Sequence, residues 1–210
     1  MRHVPHMVIG APWPDDKLSL SVMQWRHLTK VLRMGRGDQI SYTDGLGTVG
    51  VGRLGDKEVI RGDEDEVPQV SDLVVAVAPP SSKDRQRFVV EKLAELGVST
   101  LVWLKTAHGK DRLVSPAKTF AWTLSAVEQS RGAWLMEISA GLVDWVDLEP
   151  PVVVCHPGGS RDTPRPRTVV IGPEGGFSEE EIPETAERWD LGPTTLRVET
   201  AALIAAARIM

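Results

Sequence analysis

Cysteine is almost missing from this chain: Cys155 is the only one in 210 residues, which excludes an internal disulfide and leaves stability to the apolar core. A chain of this length can build such a core without covalent staples. Long apolar runs are also missing. The longest, residues 73–80 and 201–207, fall well short of the roughly 20 residues that a membrane span requires. Residues 1–10 are too weakly apolar and too short for a signal peptide, so a reducing, cytoplasmic setting is expected, with no membrane partner. No internal repeat or low-complexity tract is present. His3 and His6 fall in a terminus expected to be flexible, and with Cys155 and His156 they form no convincing ligand set, so no metal is expected.

The net charge is −5, which at first argues against a polyanionic partner, since phosphate binding follows local cation density. The distribution matters more than the sum. The front of the chain carries Arg2, Lys17, Arg26, Lys30, Arg33, Arg36, Arg53, Lys57 and Arg61 against Asp15, Asp16, Asp38, Asp44, Asp56 and Glu58. The run Asp63-Glu64-Asp65-Glu66 then reverses the sign, and with Val67-Pro68 it reads as a solvated linker. Two domains are therefore expected, 1–66 and 67–210.

In the front part, Trp25, Leu28, Val31 and Leu32 recur at helical spacing over residues 23–34, while Arg26, Lys30 and Arg33 form a basic stripe on another face. Residues 39–43, 48–54 and 58–61 read as short strands separated by turns at Asp44-Gly45 and Gly55-Asp56, which suggests a small β-barrel. Beyond residue 67, apolar runs alternate with helical segments, the pattern of a mostly parallel sheet covered by helices. Strands are expected at 73–78, 100–104, 152–155 and 168–171. A helix capped by Ser82 should turn Phe88, Val89, Leu93 and Leu96 inward and end at Gly97. A second opens at Ser115-Pro116 with Phe120, Ala121, Leu124 and Val127 inward. Ser178 and Glu181 are spaced as a capping box for a helix running to Arg188, and an apolar helix closes the chain over 199–210.

Two segments carry the chemistry. Val169-Val170-Ile171-Gly172-Pro173-Glu174-Gly175-Gly176-Phe177-Ser178 is a buried strand entering a glycine-rich turn and then a capped element. Glycines admit a ligand close to backbone amides, and open α/β sheets bind ligands beyond the carboxyl ends of their strands. The same pattern also serves as a plain tight connection, and it lacks the Lys-Ser/Thr pair of a P-loop. Near the end, Leu191-Gly192-Pro193-Thr194-Thr195-Leu196-Arg197-Val198-Glu199 makes a second Gly-Pro turn into a helix. Glu199 there could simply complement the helix dipole.

These segments, with Lys83-Asp84-Arg85, Glu91-Lys92-Leu93-Ala94-Glu95-Leu96-Gly97-Val98, Ala126-Val127-Glu128-Gln129-Ser130 and the front motif His27-Leu28-Thr29-Lys30-Val31-Leu32-Arg33-Met34, resemble the RsmE family of 16S ribosomal RNA (uracil-N3)-methyltransferases. The resemblance runs in order over nearly the whole chain. It implies an α/β fold in which a small PUA-like β-barrel, 1–66, helps bind RNA and precedes a SPOUT methyltransferase domain, 67–210, tied in a trefoil knot. It further implies a homodimer acting on ribosomal RNA or the small ribosomal subunit with S-adenosyl-L-methionine as cofactor. The cofactor contacts would be Cys155, His156 and Pro157, then Ile171, Gly172, Pro173, Glu174, Gly175 and Gly176, then Leu191, Gly192, Leu196 and Val198. Arg197 and Glu199 are the catalytic candidates, one as stabilising cation and the other as base. Arg26, Lys30, Arg33, Arg36, Lys83, Arg85 and Arg131 would hold RNA phosphates. Two departures from the family pattern stand out: the order Ser130-Arg131-Gly132 in place of Ser-Gly-Arg, and Val198 where threonine is usual. A SPOUT enzyme aimed at another RNA or base atom, and a catalytically silent homologue that binds cofactor and RNA, are the competing readings.

Overall fold

The computed structural model describes residues 4–109 and 112–210; Arg2 and His3, counted above, lie outside them. The chain divides into two compact units, Met1–Gln69 with Val127–Leu135, and Val70–Ala126 with Met136–Met210.

The first unit is a six-stranded sheet. Its strands are β1 (His6–Val8), β2 (Lys17–Ser19), β3 (Gln39–Thr43), β4 (Thr48–Leu54), β5 (Glu58–Ile60) and β6 (Glu64–Glu66). The order is β1-β3-β4-β5-β2, and β6 pairs with β4. Alternation places Ile40, Tyr42, Leu54 and Val59 in a core with Met7, Leu18 and Leu28. Gly50 lies opposite Tyr42 in the β3–β4 register. A Cβ there would come within 2.4 Å of the Tyr42 ring, so the glycine is what lets the ring lie across the sheet.

Three expectations for this unit change. The acidic run is not a linker, because Glu64–Glu66 pairs antiparallel with β4. Arg61 and Glu64 form a two-pronged ion pair, and the Tyr42 hydroxyl donates to Glu64 at 2.7 Å; local neutralisation is what lets an acidic strand join a sheet. The front helix is not one continuous α-helix. It runs Val22–Arg26 (α1), capped by the reciprocal Ser21 and Gln24 bonds, and then widens into a π-turn at His27–Val31. That wider turn changes the angular phase, so Val31 and Leu32 are exposed while Leu28 alone of the π-turn is buried. Arg26, Lys30, Arg33 and Arg36 are all exposed.

His6 does not sit in a loose terminus. It is buried in β1, with Nδ1 against the Ser41 hydroxyl at 2.8 Å and Nε2 against the Gly132 carbonyl at 3.1 Å. Burial pulls its pKa below the usual 6.5, the Gly132 carbonyl opposes this, and nearby Arg131 adds to it. The unfolded chain therefore binds a proton at His6 before the folded one does. Stability from this group is full above about pH 6.5 and is lost as pH falls from there through the depressed folded value. Glu128, whose carboxyl burial raises despite the Val8 amide bond, works in the opposite direction. Urea unfolding at about pH 7.5 and 5.5 should show a smaller acid-side loss in His6→Gln than in the unaltered protein; equal losses would remove His6 as the cause.

The second unit is a parallel sheet in the order β12-β10-β11-β7-β8-β9. Its strands are β7 (Val74–Val77), β8 (Thr100–Leu104), β9 (Glu137–Val143), β10 (Val152–Ser160), β11 (Thr168–Ile171) and β12 (Glu187–Trp189). Helix α2 (Lys83–Leu96) joins β7 to β8, and Gly97, at φ +83°, ends it. Helix α3 (Pro116–Ser130) follows β8. Helix α4 (Val198–Ile209) packs against α2, β7 and β11. Val75, Val77, Val89, Leu93, Leu101, Val169, Ile171, Ala202 and Ala205 form the core.

The inward faces of the helices are rotated from expectation. In α2, Gln86, Val89, Val90, Leu93 and Ala94 are buried, whereas Phe88 and Leu96 are exposed. In α3, Thr119, Thr123, Ala126 and Val127 are buried, Leu124 is half-buried, and Phe120 and Ala121 are exposed. The capping box at Ser178 and Glu181 forms, but it opens only a single 3₁₀ turn, Glu179–Glu181. Pro183 disfavours helical geometry at Ile182, which sits at φ −84°, ψ 114°, and the chain then enters β12 in place of a helix. Among the described residues, no helix is long and apolar enough to cross a membrane, and no group of three potential ligands could hold a metal ion.

Candidate functional site

At the carboxyl ends of β10 and β11, three stretches distant in sequence enclose one cavity of about 530 Å³. The volume falls within the roughly 300–1,000 Å³ common for small-molecule sites. Cys155, His156 and Pro157 come from β10, Ile171, Gly172, Pro173, Glu174 and Gly176 from the exit of β11, and Leu191, Gly192, Leu196 and Val198 from the segment leading into α4. The two Gly-Pro bends thus share a single hollow. Of the proposed cofactor contacts, Gly175 is the one that does not line it; it lines a neighbouring cavity of about 220 Å³ instead. Sequence reasoning passed over Arg161, Phe177, Asp190 and Ala201, which also line the larger hollow. Ala201 follows Val198 by one helical turn and was accessible to a spacing argument; Arg161 and Asp190 carry no local signal.

The walls are fixed by specific bonds. Phe177 folds back under the first bend, so a Cβ at Gly172 would lie 2.7 Å from its ring. Glu181 accepts from the Ala107 amide at 2.5 Å and from the Ser178 amide at 2.9 Å. His108 Nδ1 lies 3.2 Å from the Gly176 carbonyl. Burial alone would raise the Glu181 carboxyl, but the Ala107 and Ser178 bonds outweigh it and hold the group below its ordinary range. In the second bend, Asp190 accepts from the Gly192 amide at 2.9 Å. That bond, opposed by burial and aided by Arg161, keeps its carboxyl low. Burial pushes the Cys155 thiol up to about 12, so it is a neutral, apolar part of the wall at physiological pH.

The catalytic candidates lie at the start of α4. Arg197 occupies the N-cap position and is exposed, while Glu199 is buried in the first turn. Neither is among the residues lining the larger cavity, although Val198 between them is. One Glu199 oxygen is 3.7 Å from Arg85 Nε. The other, Oε2, is buried without a hydrogen-bond partner. Arg85 also ion-pairs with Glu174 on the cavity wall, so it bridges both carboxylates. The remaining RNA candidates fall on the two units separately: Lys83 with Arg85 on the second, and Arg26, Lys30, Arg33, Arg36 and Arg131 on the first. The Arg131 guanidinium donates to the Val4 carbonyl at 2.6 Å.

Residues 67–210 match the family model described as an RNA methyltransferase domain. No curated protein sequence matches the chain significantly. Among solved structures, a methyltransferase from Legionella pneumophila in complex with S-adenosylmethionine is 27% identical, with a TM-score of 0.82, covering 99% of this chain and 97% of that one. A ribosomal RNA small subunit methyltransferase E from Neisseria gonorrhoeae, bound to S-adenosyl methionine, is 25% identical at a TM-score of 0.81, covering 98% and 96%. An rRNA methyltransferase structure from Porphyromonas gingivalis shares the fold at 24% identity and a TM-score of 0.82, covering 98% and 97%.

Proposed function

The chain belongs to the RNA methyltransferase domain family, and from that premise we propose that it transfers the methyl group of S-adenosyl-L-methionine to N3 of a uridine in small-subunit (16S) ribosomal RNA. The observation that carries this reading is the joint enclosure of one cavity by Cys155–Pro157, the Gly172-Pro173 bend and the Gly192-Pro193 bend. Ile171, Leu191, Leu196 and Val198 supply apolar walls for an adenosyl group, and the glycines allow polar edges to reach backbone amides. The residues present therefore fit the cofactor. When bound, it supplies an already activated methyl group on a sulfonium.

The chain's own part is to align the acceptor nitrogen, exclude water and take up a proton. In this reading Glu199 accepts the N3 proton, and its partnerless buried oxygen supports that role. Arg197 stabilises charge spreading onto the uracil carbonyls. The reading includes a PUA-like RNA-binding barrel over 1–66, a SPOUT trefoil knot within 67–210, a homodimer and a cytoplasmic setting. Arg26, Lys30, Arg33, Arg36, Lys83, Arg85 and Arg131 contact phosphates in it.

Calorimetric titration with S-adenosylhomocysteine should give one saturable site per chain. Incubation of small ribosomal subunits with labelled cofactor should place the label on a uridine, mapped to N3 by mass spectrometry. A flat titration sinks the reading; label on another base atom or another RNA corrects its target; cofactor binding without label identifies a silent homologue.

A further inference from the structure

A third hollow, of about 400 Å³, opens where α2 and α3 begin, lined among others by Ser81, Lys83, Gln86, Arg112, Ser115 and Lys118. Three cations converge on it, and no carboxylate is among the described residues that line it. Asp84, the acid in the first turn of α2, is not part of the wall. Among the described residues, the ion pairs of this unit engage Arg85, Arg87, Lys92, Lys105, Arg161 and Arg167, and leave out Lys83, Arg112 and Lys118. Unneutralised cations crowded around a concavity repel one another, and an anion relieves that repulsion.

The hollow is also built rigidly. Gln86 is 2% exposed, and its amide nitrogen donates to the carbonyls of Pro80 and Arg112, both at 2.9 Å. Its oxygen accepts from the Val114 amide at 3.1 Å. One buried side chain thereby ties the segment before α3 to the segment before α2. Ser82 makes no side-chain capping bond, so the first-turn amides of α2 keep their partial positive charge, as helix N-termini do.

Position adds the last element. Ser81 lines both this hollow and the small cavity of about 220 Å³, and Pro173, Glu174 and Val198 line both the small cavity and the proposed cofactor cavity. The three spaces form a row. We propose that the cationic hollow is a phosphate subsite, holding a backbone phosphodiester of the acceptor RNA beside the nucleotide whose base enters the small cavity. This inference rests on the methyltransferase reading above and adds Arg112 and Lys118 to the residues that engage RNA. A contact of this kind positions the acceptor without reading sequence.

The test compares the unaltered protein with a Lys83→Gln, Arg112→Gln, Lys118→Gln triple variant, using small-subunit ribosomal RNA in filter binding across a salt series. Affinity should fall about tenfold, and the slope of log affinity against log salt should shrink by roughly 0.7–0.9 for each phosphate that the variant no longer neutralises. S-adenosylhomocysteine titration should be unchanged, which a merely misfolded variant could not show. A control removing Arg87, Lys92 and Arg165 takes away the same charge outside the hollow and should shift the slope far less. Equal slopes in the triple variant and the unaltered protein, or equal losses in the control, overturn the subsite. So does a variant that keeps RNA binding while losing only inorganic phosphate, because the hollow then serves a free anion. Failure of the unaltered protein to bind S-adenosylhomocysteine would instead strike the methyltransferase reading itself.

Discussion

Glu199→Gln is expected to lower kcat for methyl transfer about a hundredfold or more, with S-adenosylhomocysteine affinity changed less than about threefold. The substitution keeps the shape of the side chain and removes its negative charge and its capacity to take a proton. Glu199 stands in the first turn of α4, directly after Val198, which lines both the cofactor cavity and the small cavity beside it. Arg85 approaches one oxygen at 3.7 Å, while Oε2 is buried and has no partner. A buried acceptor without a donor costs stability unless function uses it, and a uridine N3–H is a donor of the right kind. The split between kcat and KM separates this from a structural role: kcat should fall in Glu199→Gln while KM for the RNA stays within about threefold. If kcat stays within about threefold, Glu199 serves to hold Arg85 against Glu174, and the base must be sought elsewhere.

Two walls of the cavity were legible because Gly172-Pro173 and Gly192-Pro193 have few ordinary uses in such clusters, whereas the Cys155-His156-Pro157 wall came only from the family resemblance. Backbone-permissive residues at strand exits announce a turn without needing a partner to explain them. The central strands were legible for a similar reason, since Val74–Val77, Thr100–Leu104 and Thr168–Ile171 are continuous apolar runs that only a doubly covered sheet can bury. Several missed features depend on long-range pairing. β9 carries mixed residues, Glu137–Val143, and is ordered by β8 alone. β6 is acidic and becomes a strand only because Arg61 and Tyr42 meet Glu64. Phe88 and Phe120 attracted assignment to the core by hydrophobicity, yet helical phase turns them outward, and smaller or polar residues, Gln86, Thr119 and Thr123, take the buried positions. Gln86 is the instructive case. A glutamine on an inward face looks like an error of patterning until its three bonds to the backbone are seen, and those bonds shape the cationic hollow.

Gly159→Val should be strongly damaging although the residue touches no ligand, because it breaks the link between the sheet edge and the second bend. In β10 a Cβ at this position would meet the carbonyl of Arg188 at 2.5 Å and the amide nitrogen of Trp189 at 2.7 Å. Those are backbone atoms of β12, which cannot swing aside as a side chain would, so the strand itself must move. Trp189 is fully buried, and the next residue, Asp190, is bonded at both ends: its amide donates to the Ser160 carbonyl at 2.7 Å, and its carboxylate accepts from Gly192. Displacing β12 therefore drags the cavity wall formed by Leu191, Gly192 and Leu196. The expected cost is about 3 kcal/mol, on the order of 10 °C in Tm for a chain of this size, with S-adenosylhomocysteine affinity reduced at least about tenfold. Gly158→Ala provides the contrast. Gly158 sits at φ +80° with nothing within 4 Å of its Cβ, so the cost there is only left-handed strain, about 1 kcal/mol. Calorimetric affinity and thermal unfolding of the two variants decide the matter: unchanged cofactor binding in a destabilised Gly159→Val protein would mean that residues 190–197 hold their shape without the strand that precedes them.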